Sequence, residues 1–135
     1  MGISIERMDH FVITVSDINT TLQFYERVLG MESATFRDGR TGLHFGNQKI
    51  NIHPIGKEAK PNAPNAQPGT ADICFISTFS IEAIKNHLAT ETVDVVYGPV
   101  KQAGALGPMD SIYFRDPDGH AVELKTSTWA GRVFH

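Results

Sequence analysis

The sequence has a single cysteine, a single tryptophan and no long hydrophobic run, and each scarcity removes a class of protein. With Cys74 alone no internal disulfide can form, so stability has to come from a core, and a reducing, cytoplasmic setting is expected. Cys74 lies between Ile73 and Phe75, where a buried thiol is expected rather than a reactive one. No apolar stretch approaches the ~20 residues that span a bilayer, and the N-terminus lacks the charged, apolar, small-residue succession of an export signal. The expectation is a soluble, unexported protein with no membrane contact. Positive charge is not in excess either. Twelve Lys and Arg against 15 Asp and Glu give a net charge of -3, which leaves no basic footprint for nucleic acid. A small-molecule site or a protein contact remains.

What is present suits one globular domain, with 135 residues, 41% apolar and 20% charged. Residues 5–15 end in the β-branched run His10-Phe11-Val12-Ile13-Thr14-Val15, a strand with His10, Val12 and Thr14 on one face. Asp17 is placed to cap a helix with the stripe Ile18, Leu22, Tyr25 and Leu29, which Gly30 stops. A return segment over 31–36, the turn Asp38-Gly39, a strand through Leu43 and Phe45, the turn Gly46-Asn47 and a strand over 49–52 then lead to His53. Residues 54–70 hold four of the seven prolines and read as a linker or extended loop. Beyond it the order returns. Residues 71–77 form a strand starting near Asp72, and Ser80 caps a helix with the stripe Ile81, Ile84 and Leu88. Residues 92–97 read as a strand, 101–110 as a mobile loop, and 111–125 as a hairpin turning at Asp116-Pro117-Asp118-Gly119.

Strand, helix and three strands therefore occur twice, as an α+β pair of βαβββ modules over 5–53 and 71–126, followed by a tail over 127–135. Two such modules are expected to pair into one curved, cavity-forming mixed sheet or to exchange partners with a second chain. Superposing the halves puts His10 on Asp72, Phe45 on Phe114 and His53 on Glu123, with one extra residue in the second turn. Glu123 is the residue that most needs a partner, being an ionisable group between Val122 and Leu124.

The stretches MDHFVITVSDINTTLQFYERVLGM and SIYFRDPDGHAVEL, with the repeated halves, resemble the vicinal oxygen chelate superfamily, which holds glyoxalase I, bleomycin-resistance proteins, fosfomycin-resistance transferases and extradiol dioxygenases. The likeness covers about residues 8–126, and LHFGNQKINIH followed by PGTADICF looks most like glyoxalase-domain proteins. It implies a divalent ion, Zn, Ni, Mn or Fe, at His10, His53, Asp72 and Glu123, with Glu123 also acting as the catalytic base. Glyoxalase-type members typically read His, carboxylate, His, carboxylate at these positions, so the middle pair is exchanged here. Asp72 is either a ligand or a group that fixes the tautomer of His53 or His10. A histidine is usual at the place of Asp72 in extradiol dioxygenases and fosfomycin transferases, and an arginine at that of Thr14 in bacterial glyoxalase I.

Plainer readings apply elsewhere. His44 is read as surface, His87 as the polar side of the second helix, His120 as part of a turn, and Arg37 and Arg40 as solvated hairpin flanks. Asp116 and Asp118 are explained as turn chemistry, and the tail, with Trp129 and Phe134, as docked on the body or on a partner. The resemblance implies a metal-dependent lyase or isomerase of the glyoxalase type, acting on a small oxygenated substrate through an enediolate, and a homodimer. The alternatives are a metal-free small-molecule binder of the bleomycin-resistance type and an iron-dependent dioxygenase.

Overall fold

The computed structural model describes residues 2–36, 38–126, 128–129 and 132–133. The chain divides into two compact units, residues 1–69 and 70–135. In the first, β1 (His10–Val15), α1 (Ile18–Leu29), β2 (Glu32–Thr35), β3 (Thr41–Phe45) and β4 (Gln48–Pro54) follow one another. The sheet order is β1-β4-β3-β2, with β1 parallel to β4 and the other pairs antiparallel. The second unit repeats this with β5 (Asp72–Ser77), α2 (Ile81–Thr90), β6 (Tyr97–Gly104), β7 (Gly107–Arg115) and β8 (Ala121–Thr126), in the order β5-β8-β7-β6. Here β5 is the strand parallel to β8. A short antiparallel ribbon, β9 (Thr128–Trp129) with β10 (Arg132–Val133), closes the chain. The α+β class and the twofold βαβββ order agree with the sequence reading.

Each sheet has one apolar face. In the first unit Ile13, Val15, Leu43, Ile50 and Ile52 are buried, and α1 adds Phe24, Tyr25 and Val28. Burying such side chains contributes about 1.5–3 kcal/mol apiece. In the second unit Ile112, Phe114, Val122 and Leu124 are buried with Ile84 and Leu88 of α2. Alternation then fixes the opposite faces, which carry His10, Val12, Thr14, Lys49, Asn51 and His53 in one unit and Asp72, Cys74, Glu123 and Lys125 in the other.

The caps follow the expected chemistry. Asp17 Oδ1 accepts the Thr20 N–H at 2.9 Å, Ser80 Oγ accepts the Ala83 N–H at 3.2 Å, and Gly30 takes the left-handed φ of 66° that ends α1. The buried side of α1 is centred on Thr21, Phe24, Tyr25 and Val28, one position round from the stripe read in the sequence. Ile18, Leu22 and Leu29 flank it half-buried, because a helix against a sheet buries a band wider than one row.

Two segments differ from expectation. Regular structure in β1 starts at His10, and residues 2–9 precede it without a strand. Residues 101–110 are the two arms of the β6–β7 hairpin turning between Gly104 and Gly107, while 92–96 form no strand. The glycines and Pro108 that suggested a loop sit at the hairpin turn and strand start, where they are tolerated. Arg37, Phe134 and the Trp129 side chain lie outside the described residues, so the readings made on them do too. Among the described residues no helix is long and apolar enough to cross a membrane.

Candidate functional site

His10 is the first residue of β1 and is solvent-exposed. Asp9 Oδ2 lies 2.7 Å from its Nδ1, and a proton on that nitrogen is donated to the carboxylate, leaving Nε2 with its lone pair. The same contact holds the Asp9 carboxyl below its ordinary value.

His53 is placed differently. It is buried at 8% exposure, its Nδ1 has no hydrogen-bond partner, and it stands beside Thr14 rather than His10. Burial first, and then the Arg40 charge, lowers the affinity of its ring for a proton, with Glu58 opposing. His10 pairs with Lys49, so His53 lies four residues further along the sheet, about 13 Å at strand spacing. Asn51 is the residue diagonal to His10, two positions along and about 8 Å away by the same spacing. Its Oδ1 is buried and has no hydrogen-bond partner.

The second unit repeats the relation. Asp72, exposed at the start of β5, pairs with Ala121, and Glu123 is the diagonal residue. The two registers make Asn51 the equivalent of Glu123, and His53 the equivalent of Lys125. This corrects the superposition of the halves. His10 does fall on Asp72, but Leu43 falls on Phe114 and Asn51 on Glu123, two residues away from the pairing read in the sequence.

Around Glu123 the structure supplies partners that sequence reasoning missed. Lys125, buried at 6% exposure, brings Nζ to 2.9 Å from Glu123 Oε2 as an ion pair, while its directed hydrogen bond goes to Ser111 Oγ at 2.8 Å. Glu123 Oε2 is buried and receives no well-directed hydrogen bond. Burial works to raise the Glu123 carboxyl, but the Lys125 ammonium and the Tyr113 and Ser111 hydroxyls beside it outweigh burial and hold the group below its ordinary value. Tyr113 pairs with Glu123 across the β7–β8 ladder, and burial followed by the bond to Glu123 pushes its phenol up to about 12. The Tyr97 ring lies 5.5 Å from that of Tyr113. Cys74 is exposed rather than buried as its apolar neighbours suggested, because alternation puts it on the face of Glu123, yet the protein packed round its sulfur and the Glu123 charge push the thiol up to about 11. The signal for these neighbours was parity, since Lys125, Tyr113 and Ser111 all stand on the face of Glu123.

Each unit thus carries one diagonal pair, His10 with Asn51 and Asp72 with Glu123. Among the described residues no three His, Cys, Asp or Glu side chains group closely enough to hold a metal ion. By type the residues are metal donors, an imidazole nitrogen oriented by a carboxylate and an amide oxygen in the first unit and two carboxylates in the second. The two oxygens left without hydrogen bonds, on Asn51 and Glu123, fit the same purpose.

Three comparisons bear on this arrangement. Residues 7–124 match the model of the Glyoxalase/Bleomycin resistance protein/Dioxygenase superfamily. The virulence protein STM3117 of Salmonella typhimurium is 47% identical over 120 residues, 89% of this chain and 83% of that protein, and the glyoxalase domain-containing protein RDO1 of Mycosarcoma maydis is 48% identical over 124 residues, 92% and 70%. An integron cassette protein from the mobile metagenome of V. cholerae superposes with a TM-score of 0.91 at 45% identity, over 95% of this chain and all of that one.

Proposed function

The chain belongs to the glyoxalase/bleomycin resistance protein/dioxygenase superfamily, and on that premise we propose that it is a divalent-metal-dependent lyase or isomerase of the glyoxalase type, acting on a small oxygenated substrate. The superfamily includes metal-dependent enzymes. The observation that carries the reading is the repeated diagonal pair, which puts ligand-type residues at the same register of both modules. In this proposal the donors are His10, Asp72 and Glu123, with Asn51 at the place the sequence reading gave to His53. A bound ion, Zn, Ni, Mn or Fe, would supply Lewis-acid polarisation of two neighbouring substrate oxygens.

The chain's own residues supply the rest. Asp9 orients the His10 ring so that Nε2 is the free nitrogen. Lys125, Tyr113 and Ser111 hold Glu123 ionised at neutral pH, so its carboxylate is in the form that accepts a proton, while the same stabilisation makes it a weaker base than an ordinary glutamate. Members of the superfamily commonly form dimers, and a homodimer is part of the proposal, read by light scattering at micromolar concentration.

The test is elemental analysis of protein purified without added metal, beside His10→Ala and Glu123→Ala. Close to one ion per chain, lost in both variants, is expected. Unchanged metal content in both would sink the ligand assignment. A metal-free binder is the second reading, and one observation favours it: the Lys125 ammonium already stands 2.9 Å from the Glu123 carboxylate, where a cation would be needed. Full ligand binding in excess chelator would support that reading instead.

A further inference from the structure

Residues 2–9 are exposed throughout, and two isoleucines among them stand almost wholly in solvent, Ile3 at 92% and Ile5 at 79% exposure. A single exposed apolar residue is ordinary, but these two alternate with Ser4 and Glu6 in the period of a strand that has no sheet. The arm is anchored only where it joins β1. There Lys49 N–H donates to Asp9 O at 3.3 Å, and Arg7 Nη1 donates to Asn47 O at 3.3 Å. When the arm is extended, Ile3, Ile5 and Arg7 share one face, with Gly2, Ser4 and Glu6 on the other.

The second unit holds the complementary feature, a sheet edge in want of a strand. β5 is the outer strand of its sheet among the described residues, and Asp72, Cys74 and Ile76 along one face of it are all exposed, Ile76 at 59%. An open edge is a template for a further strand, and proteins commonly blunt one with lysine, proline or a bulge. β5 carries none of these. The two segments also match in length and order. Residues 2–7 set antiparallel to Asp72–Ser77 put Ile3 opposite Ile76, Ile5 opposite Cys74 and Arg7 opposite Asp72, apolar against apolar and cation against anion. A parallel setting would put Ile3 on Asp72 and Arg7 on Ile76. Because arm and edge both lie open on the same chain, the strand that fills the edge comes from another copy of it.

We propose that residues 2–7 add as an antiparallel fifth strand to the β5 edge of a second copy of this chain, each copy giving its arm and receiving the other's. The exchange is closed, since the same two segments are used up on both sides. Backbone hydrogen bonds along the edge supply the attachment, and the matched side chains fix the register. The inference rests on the homodimer of the proposed function and names the segments that join it. Asp72 has two carboxylate oxygens, so Arg7 of the second copy on one of them leaves the other free.

The experiment uses the single native cysteine, Cys74. Ile5→Cys is treated with diamide, which takes up the two hydrogens of a thiol pair, and is run on a non-reducing gel beside Glu6→Cys, whose side chain faces the other way. A covalent dimer from Ile5→Cys is expected, one that reductant dissolves and that is lost when Cys74→Ser is added. Equal bridging by Glu6→Cys overturns the inference. So does a bridge closed within one chain, seen as an unchanged mass with both thiols gone, because the arm would then lie on its own β5. Ile3→Ser with Ile5→Ser changes exposed positions and leaves the core intact, and it should raise the dimer dissociation constant at least about tenfold. An unchanged constant overturns the inference. Light scattering of the unsubstituted protein separates the two failures: a dimer whose Ile5→Cys variant gives no covalent product overturns this inference alone, and a monomer at micromolar concentration overturns the homodimer with it.

Discussion

His120 Nδ1 accepts the Ala71 backbone N–H at 2.9 Å, a bond between residues 49 apart in sequence. The ring is 1% exposed and belongs to the turn in which Asp116 Oδ1 accepts the N–H groups of Asp118 at 2.9 Å and His120 at 3.0 Å. Ala71 immediately precedes Asp72, and Ala121 N–H returns a bond to Ala71 O at 2.9 Å. A residue read from the sequence as turn material thus ties the strand of one candidate donor to the strand of the other.

Removing that tie should weaken the second unit. His120→Ala leaves the part-buried Ala71 N–H without its partner and empties a buried site, and is expected to cost about 1–3 kcal/mol of stability. Urea unfolding reads it, and a midpoint equal to that of the unsubstituted protein would show that the ring bears no load.

The register of the first unit separates two neighbouring residues. If Asn51 stands where Glu123 stands in the other module, Asn51→Ala lowers metal content and His53→Ala leaves it near its starting level. The reverse result would restore His53 to the ligand set and refute the equivalence as a guide to function.

His53 should make stability depend on pH in a set direction. Burial holds its folded-state value below the ordinary 6.5, so as pH falls the unfolded chain takes up the proton first. Its contribution is whole above pH 6.5 and is lost as pH drops from there through the folded-state value. Urea midpoints at pH 7 and pH 5 should differ less in His53→Leu than in the unsubstituted protein. Equal differences would count against the burial argument.

Cys74 reports on Glu123. A thiol at about 11 is roughly one part in a thousand thiolate at pH 8, so iodoacetamide should react slowly and speed up about tenfold per pH unit. Glu123→Gln removes a charge that raises the thiol, and the rate at pH 8 should rise. A slower or unchanged rate would mean that the carboxylate does not act on the sulfur.

Gly98 has φ of 100°, and a Cβ there would stand 2.6 Å from Ser111 O. Gly98→Ala is therefore expected to lower stability by at least about 1–3 kcal/mol. A thermal midpoint unmoved by the substitution would contradict the close approach.

Much of the fold was legible because it rests on local chemistry. Asp17, Gly30 and Ser80 mark helix ends by satisfying or releasing backbone groups, and Gly46-Asn47 and Asp116-Pro117-Asp118-Gly119 mark turns by their allowed dihedrals. The first strands of the halves also aligned correctly, His10 on Asp72. The last strands did not, for a specific reason. Moving β4 by two residues against β8 leaves every side chain on the same face, so alternation cannot tell Asn51 from His53 as the partner of Glu123. Only the backbone pairing of β1 with β4 breaks that tie. Lys125 was visible as a face-mate of Glu123, but sequence alone gave no reason to bury an ammonium.

The alternation of β8 also governs how this chain is free to change in length. One residue gained or lost inside the strand would turn Glu123 and Lys125 towards α2 and bring Val122 and Leu124 to the polar face. Insertions and deletions between the end of β7 and the end of β8 should therefore survive only in the turn at 116–120, or in even-numbered steps. The long connection over 55–70 carries no such parity and is free to vary, so relatives of different length are expected to differ there first.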